Sequence, residues 1–353
     1  MTLYDRVADL PLSIDDDDLS LRERETSSDF TRVTTVVALS GDGETGYGED
    51  VTYDADEHHA LADWDGRFPL AGTYEFDGFS ETIGDLDLFP ASDPEREGFR
   101  HYRRWAFESA ALDLALKQEG RTLAEAFDRS YEPVRFVAST RLGDPPTVDR
   151  IDRLLDSNPD LEFKLDPTSD WDPDLIERLA DTGRVRILDL KGQYEGTEVD
   201  QPPDAALYEQ VIEAFPDALI EDPKLTDETR PLFEGHEERV TWDYPITGVA
   251  SVEALPWEPA WLNIKPSRFG SVRSLLDTLD YCRERGIDMF GGGQFELDGG
   301  REQLHALASL FYPDSPNDVA PSGYNDPEPA AGLPTSPLEP PADGRGLRWS
   351  DGD

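Results

Sequence analysis

The sequence predicts an α/β protein in which a barrel of alternating strands and helices follows an α+β segment. Three observations carry this reading. From Pro133 onward short apolar runs alternate with amphipathic stretches, the pattern of parallel strands joined by helices, and about eight such units close a barrel. Before Pro133 the chain instead alternates residue by residue and then becomes helical. Hydrophobic residues make up 37% and aromatics 10%, enough for a folded core and not a disordered acidic chain. A doubly wound open sheet is the other topology that the alternation allows.

Phe30 to Tyr53, FTRVTTVVALSGDGETGYGEDVTY, alternates, turns through GDGETGYG and alternates again, which predicts a β-meander. Arg100 to Phe127 has helical periodicity, with Gly120 as the stop between two helices. The predicted barrel strands are residues 134–139, 161–166, 185–190, 218–222, 239–244, 261–265 and 287–292, with a last short one at 317–321. Helical patterns such as DPDLIERLADTG and GSVRSLLDTLDYCRERG lie between them. The expected domains are 1–132, an α+β capping segment, and 133–321, the barrel. Residues 322–353 form a Pro-rich tail that packs back on the first domain or is partly disordered.

The formal charge is −45, from 32 Lys and Arg against 77 Asp and Glu, and the pI is near 4.2. Such an acidic coat repels nucleic acid and anionic lipid. It fits an acidic binding protein or, better, a chain adapted to the high salt of an extreme halophile, where screening shortens self-repulsion. Cys282 is the single cysteine, which excludes an intramolecular disulfide and suggests a reducing compartment. The N-terminus has no signal pattern, and no 18-residue apolar run occurs, so a cytoplasmic protein is expected. Dinucleotide, phosphate-loop and zinc spacings are absent from the sequence.

Barrel chemistry sits where strands finish. Here Asp189, Glu221, Asp243 and Lys265 end consecutive strands, at spacings of 32, 22 and 22 residues. Taken singly, an acid at a strand end usually caps the helix that follows. Three in step around one mouth repel each other unless a cation joins them. An all-oxygen set that leaves room for water and substrate suits Mg²⁺, with Mn²⁺ possible. A lysine beside such an ion can take the proton α to a bound carboxylate, while the metal stabilises the enediolate.

These residues resemble those of the enolase superfamily, in its muconate-lactonising, o-succinylbenzoate synthase and mandelate racemase branch. The resemblance covers most of the chain: GYGE (Gly46 to Glu49), the helix RRWAFESAALDLAL, IEDP (Ile220 to Pro223) and NIKPSRFGS (Asn263 to Ser271). It implies a (β/α)7β TIM-like barrel with an α+β cap whose loops close over a small-molecule carboxylate, and sometimes a homo-oligomer. It implies Asp189, Glu221 and Asp243 as metal ligands and Lys265 as catalytic acid/base. GGGQFELDGGR, with Gln294 and Glu296, resembles the seventh-strand loop that faces substrate.

Two departures stand out. The family's second strand ends Lys-x-Lys, whereas here Lys164 is followed two residues later by Asp166, and both are candidate catalytic residues. Its third strand reads Asp-x-Asn, whereas Lys191 stands where the Asn would be. Either Asp166 and Lys191 form an ion pair across neighbouring strand ends, or Lys191 supplies the displaced catalytic cation. Arg268 could hold a substrate carboxylate or lie on the surface at a helix start. Trp242 and Phe295 could line the pocket or simply pack. His305 is expected to pack, and His58 and His59 to be solvated. With one lysine in place and Lys-x-Lys disrupted, elimination or cycloisomerisation is favoured over two-base racemisation. The alternative is a barrel that has lost catalysis and binds a ligand or partner.

Overall fold

The computed structural model describes residues 1–349 apart from 29, 198 and 343. In the cap, β1 (Pro11–Ile14) pairs with β5 (Gly72–Glu75), while β2 (Asp16–Glu25), β3 (Thr31–Gly41) and β4 (Glu44–Asp50) form an antiparallel sheet. The meander is therefore present, and the acidic run Asp15–Asp18 leads into its outer strand. Helices α1 (Ala55–Asp63), α2 (Phe76–Asp85), α3 (Gly98–Gln118) and the one-turn α4 (Leu123–Ala126) complete the cap. Gly120 follows α3 with φ of +64°, the left-handed stop that glycine adopts without strain.

GYGE owes its glycines to close packing of α3 on β4. A Cβ at Gly46 would lie 2.2 Å from the Ala110 carbonyl oxygen, and one at Gly48 2.0 Å from that of Ala106.

Seven parallel strands follow, each hydrogen-bonded to the next: β6 (Val137–Thr140), β7 (Glu162–Leu165), β8 (Val185–Asp189), β9 (Leu219–Glu221), β10 (Val240–Trp242), β11 (Trp261–Ile264) and β12 (Asp288–Gly291). Residues 317–321 do not form a full strand. Instead Asn317 bridges to Phe136 and Asp318 to Gly292, which closes the ring between the first and last strands. Asn317 fastens the closure: its Oδ1 accepts the Gly291 amide at 2.7 Å and its Nδ2 donates to the Arg135 carbonyl at 2.9 Å. This is the α/β barrel with a cap, and not the open sheet.

Helices α5 (Asp149–Ser157), α6 (Pro173–Asp181), α7 (Ala205–Ala214), α8 (Val249–Glu253), α9 (Pro266–Phe269), α10 (Val272–Arg285) and α11 (Gly299–Phe311) link the strands. Between β9 and β10 the chain makes only 3-10 turns, Arg230–Phe233 and Glu237–Arg239. No helix among the described residues is long and apolar enough to cross a membrane.

The Pro-rich tail returns to the cap. Leu347 is buried and its amide donates to Asp113 on α3 at 2.9 Å, while Trp349 packs edge-on against Tyr131 and His305. Residues 350–353 lie outside the described residues.

Candidate active site at the barrel mouth

Each barrel strand delivers its last inward-facing side chain to the same end of the ring. Asp189 and Glu221 are register partners across β8 and β9, and Lys164, Asp189, Glu221, Asp243 and Lys265 are all buried. Asn263 lies two residues before Lys265, hence on the same face, and its Nδ2 donates to Glu221 Oε1 at 3.2 Å.

The predicted cations and acids meet. Lys164 Nζ lies 2.6 Å from Glu221, 3.2 Å from Asp318 and 3.3 Å from Asp189. Lys191 donates to Asp189 Oδ2 and stands 3.6 Å from Asp166. Lys265 Nζ is 2.8 Å from Asp243, whose carboxylate also accepts Arg268 Nε at 2.9 Å and the Tyr194 hydroxyl at 2.7 Å. Arg268 is thus buried and not at the surface, and its other nitrogens reach the Tyr102 and Tyr194 hydroxyls at 3.1 and 3.0 Å.

Asp189, Glu221 and Asp222 each place an oxygen within 4.8 Å of the others. Asp222, with φ of +48°, accepts the Asp243 amide at 2.9 Å and the Tyr244 amide at 2.8 Å, so it clamps the backbone beneath Asp243. Glu221 Oε2 is buried with no hydrogen-bond partner, which a native fold tolerates mainly where something else binds. Six carboxylates (Asp166, Asp189, Glu221, Asp222, Asp243, Asp318) face five cations (Arg141, Lys164, Lys191, Lys265, Arg268) among the described residues. An all-oxygen set with more acids than cations and an orphaned acceptor fits a hard divalent ion such as Mg²⁺.

The acids differ in proton affinity with their burial and their charged neighbours. Burial raises Asp189, but Lys191 and Lys164 more than offset it and bring it down to about 2. Asp243 is likewise held well below the carboxylate range by Arg268 and Lys265 against its burial. Glu221 is pushed well up, chiefly by burial and then by Asp189 and Asp243, and Asp222 rises to about 7 through burial and Asp243. Burial would lower Lys164, yet Glu221, Asp318 and Asp189 keep it well above its ordinary value. Lys265 is also raised: burial, Lys164 and Arg268 favour the neutral amine, and Asp243 outweighs them.

A cavity of about 740 Å³ opens over this cluster, lined by Lys164, Asp166, Lys191, Tyr194, Lys265, Arg268 and Asp318 from the barrel and by Phe30, Tyr53 and Tyr102 from the cap. The seventh-strand loop enters it through Gln294 and Phe295. Gln294 accepts the Tyr53 hydroxyl at 3.0 Å and donates to that of Tyr102 at 3.3 Å, while Phe295 meets Phe30 edge-on. Glu296, expected to face substrate, is buried outside the cavity lining and accepts the Gln294 amide at 2.8 Å. Glu49 of GYGE, buried in the cap, accepts the amides of Leu297, Asp298 and Gly300 at 2.6, 3.0 and 3.1 Å. The cap therefore seats the loop.

Other expectations sort plainly. Trp242 packs against Trp257, away from the cavity lining. His305 packs, donating to the Val319 carbonyl at 2.7 Å. His58 is buried on α1 between Thr35 and the Thr52 carbonyl, contrary to a solvated loop, whereas His59 is exposed. Asp222, Asn263, Asp318 and Tyr194 were not picked out from sequence. The first two sit inside IEDP and NIKP, beside residues that were.

Residues 5–126 and 130–326 match the family models described as the N-terminal and C-terminal domains of a domain of unknown function, DUF8230. The o-succinylbenzoate synthase of Bacillus subtilis (strain 168) is 24% identical over 305 residues, covering 81% of this chain and 77% of that protein. Among solved structures, a member of the enolase superfamily from Listeria innocua superposes with a TM-score of 0.65 at 19% identity, covering 90% of this chain and 88% of that one. A dipeptide epimerase from Methylococcus capsulatus complexed with Mg gives 0.64 at 18% identity, with coverages of 90% and 88%. The muconate cycloisomerase from Pseudomonas fluorescens gives 0.62 at 15% identity, with coverages of 88% and 87%.

Proposed function

For a chain that belongs to the DUF8230 family and shares its fold with enolase-superfamily structures, we propose an enzyme that moves the proton α to a substrate carboxylate with the help of Mg²⁺. The observation that carries this reading is the placement of Lys265, on Asp243 and beside the Asp189–Glu221 pair, on the wall of one cavity. The described lining carries seven Lys and Arg side chains against four Asp and Glu, with Asp189, Glu221 and Asp243 paired to them from beneath. A divalent ion on those acids would leave the lining cations free to attract an anionic substrate.

Asp189, Glu221 and Asp243 would hold the cation. Asp243 is preferred to Asp222 because its partners are side-chain cations that can exchange, whereas both Asp222 oxygens take backbone amides. When bound, Mg²⁺ would supply positive charge against which an enediolate can form. Lys265 exchanges the α-proton, and how firmly Asp243 holds its ammonium sets its basicity. Lys164, gripped by three carboxylates, is a fixed charge for the substrate anion and not a base.

The second-strand end carries Asp166, which faces Arg141 and Lys191. Proton chemistry on one face, leading to elimination or cycloisomerisation, follows from that. Similarity to an o-succinylbenzoate synthase points the same way. The test is product analysis with Mg²⁺ in high-salt buffer across β-hydroxy acids, unsaturated diacids and N-acylamino acids. Dehydrated or cyclised product that disappears in Lys265→Ala is expected. Racemisation, or turnover unchanged in Lys265→Ala, would contradict the proposal.

A further inference from the structure

Lys191 leaves β8 with φ of +53°, and both its amide and its ammonium turn back onto Asp189. A second acceptor stands ready. Asp166 Oδ1 is buried, receives no hydrogen bond, and lies 3.6 Å from the same ammonium. The other Asp166 oxygen takes Arg141 Nε at 3.4 Å. Asp166 and Lys191 form part of the cavity wall, so Lys191 has one engaged carboxylate and one waiting one.

A divalent ion on Asp189 would claim the lone pairs that Lys191 uses and would repel its ammonium. A buried ammonium stripped of its counter-ion is costly. We infer that Asp166 is the counter-ion to which Lys191 transfers when Asp189 takes a cation, and that this exchange lowers the cost of loading the site. The inference rests on the cation-site reading above and adds a positioning role for Asp166. The same arrangement recurs one strand away: Lys164 holds Glu221 and Asp189 on its inner side, and Asp318 of the cavity wall stands 3.2 Å from it.

A plain electrostatic field would also make Asp166→Asn weaken cation binding, so the test is a double-mutant cycle. Mg²⁺ alone is titrated calorimetrically into the full-length protein, Asp166→Asn, Lys191→Met and the double variant, at one fixed high salt concentration. Asp166→Asn should weaken Mg²⁺ on the order of tenfold, and Lys191→Met should tighten it. In the Lys191→Met background, Asp166→Asn should change Kd by less than about twofold. Asp166→Glu, which keeps the charge, should stay near wild type, and it carries the test if Asp166→Asn fails to fold: weakening in Asp166→Glu would then overturn the exchange. Equal weakening by Asp166→Asn in both backgrounds, or no weakening at all, would overturn it as well. Failure of the wild-type protein to bind Mg²⁺ would overturn the cation-site reading and the exchange together, so the two failures are told apart.

Discussion

In the cap, Arg103 donates to Asp50 at 2.7 Å, to the Leu88 carbonyl at 3.0 Å and to the Glu57 carbonyl at 3.4 Å. Asp50 in turn accepts the Thr52 amide and hydroxyl, and His58 bridges Thr35 and the Thr52 carbonyl. Arg32 Nε is the exception in an otherwise satisfied cluster. At the barrel mouth, an equally buried set of ions leaves Glu221 Oε2, Asn263 Oδ1 and Asp166 Oδ1 without hydrogen bonds and acids in excess of cations. The same residue types serve two ends. A completed ionic cluster holds a fold together, and an incomplete one stores the capacity to bind.

Substitutions can break this contrast, and the largest effect belongs in the cap. Arg103→Met leaves Asp50 buried and uncompensated, and urea denaturation should show a loss of about 3–5 kcal/mol. His305 gives the next effect. Burial lowers its pKa to about 4, against about 6.5 unfolded, so the folded state binds the proton less well. Its contribution is intact above pH 6.5 and is lost as pH falls toward 4, by roughly 3 kcal/mol. His305→Gln should flatten that slope in a pH series of melts.

Mg²⁺ acts on the cluster at the barrel mouth. At a hundredfold excess over Kd it should stabilise the wild-type protein by about 2.7 kcal/mol and leave Asp189→Asn unmoved. The smallest effect is expected for Glu221→Gln without metal, which should cost nothing or gain about 1 kcal/mol. Losses of similar size in Arg103→Met and Glu221→Gln would erase the distinction between the two clusters.

The residues that sequence made legible are those governed by strand alternation. Asp189, Glu221, Asp243 and Lys265 each close an apolar run, so period and spacing placed them at one mouth. Strand β2 was missed because DDDLSLRERE is polar on both faces and pairs on one side only. His58 was misread because α1 looks acidic and loop-like, while its burial comes from β3 packed against it. The partnership of Tyr194 with Asp243 spans 49 residues and depends on how a loop folds over the mouth, which no local pattern encodes. The bridges that close the barrel come from Asn317 and Asp318, too short a stretch to read as a strand.

Lys265 is proposed to exchange a carbon-bound proton of a carboxylate held at the mouth. The most direct test is deuterium incorporation at the α-carbon, followed by NMR or mass spectrometry, with Mg²⁺ and a carboxylate that the protein turns over in high-salt D₂O. Exchange by the wild-type protein that vanishes in Lys265→Ala, with that variant still folded and still binding Mg²⁺, is the predicted result. Exchange that persists in Lys265→Ala would contradict it.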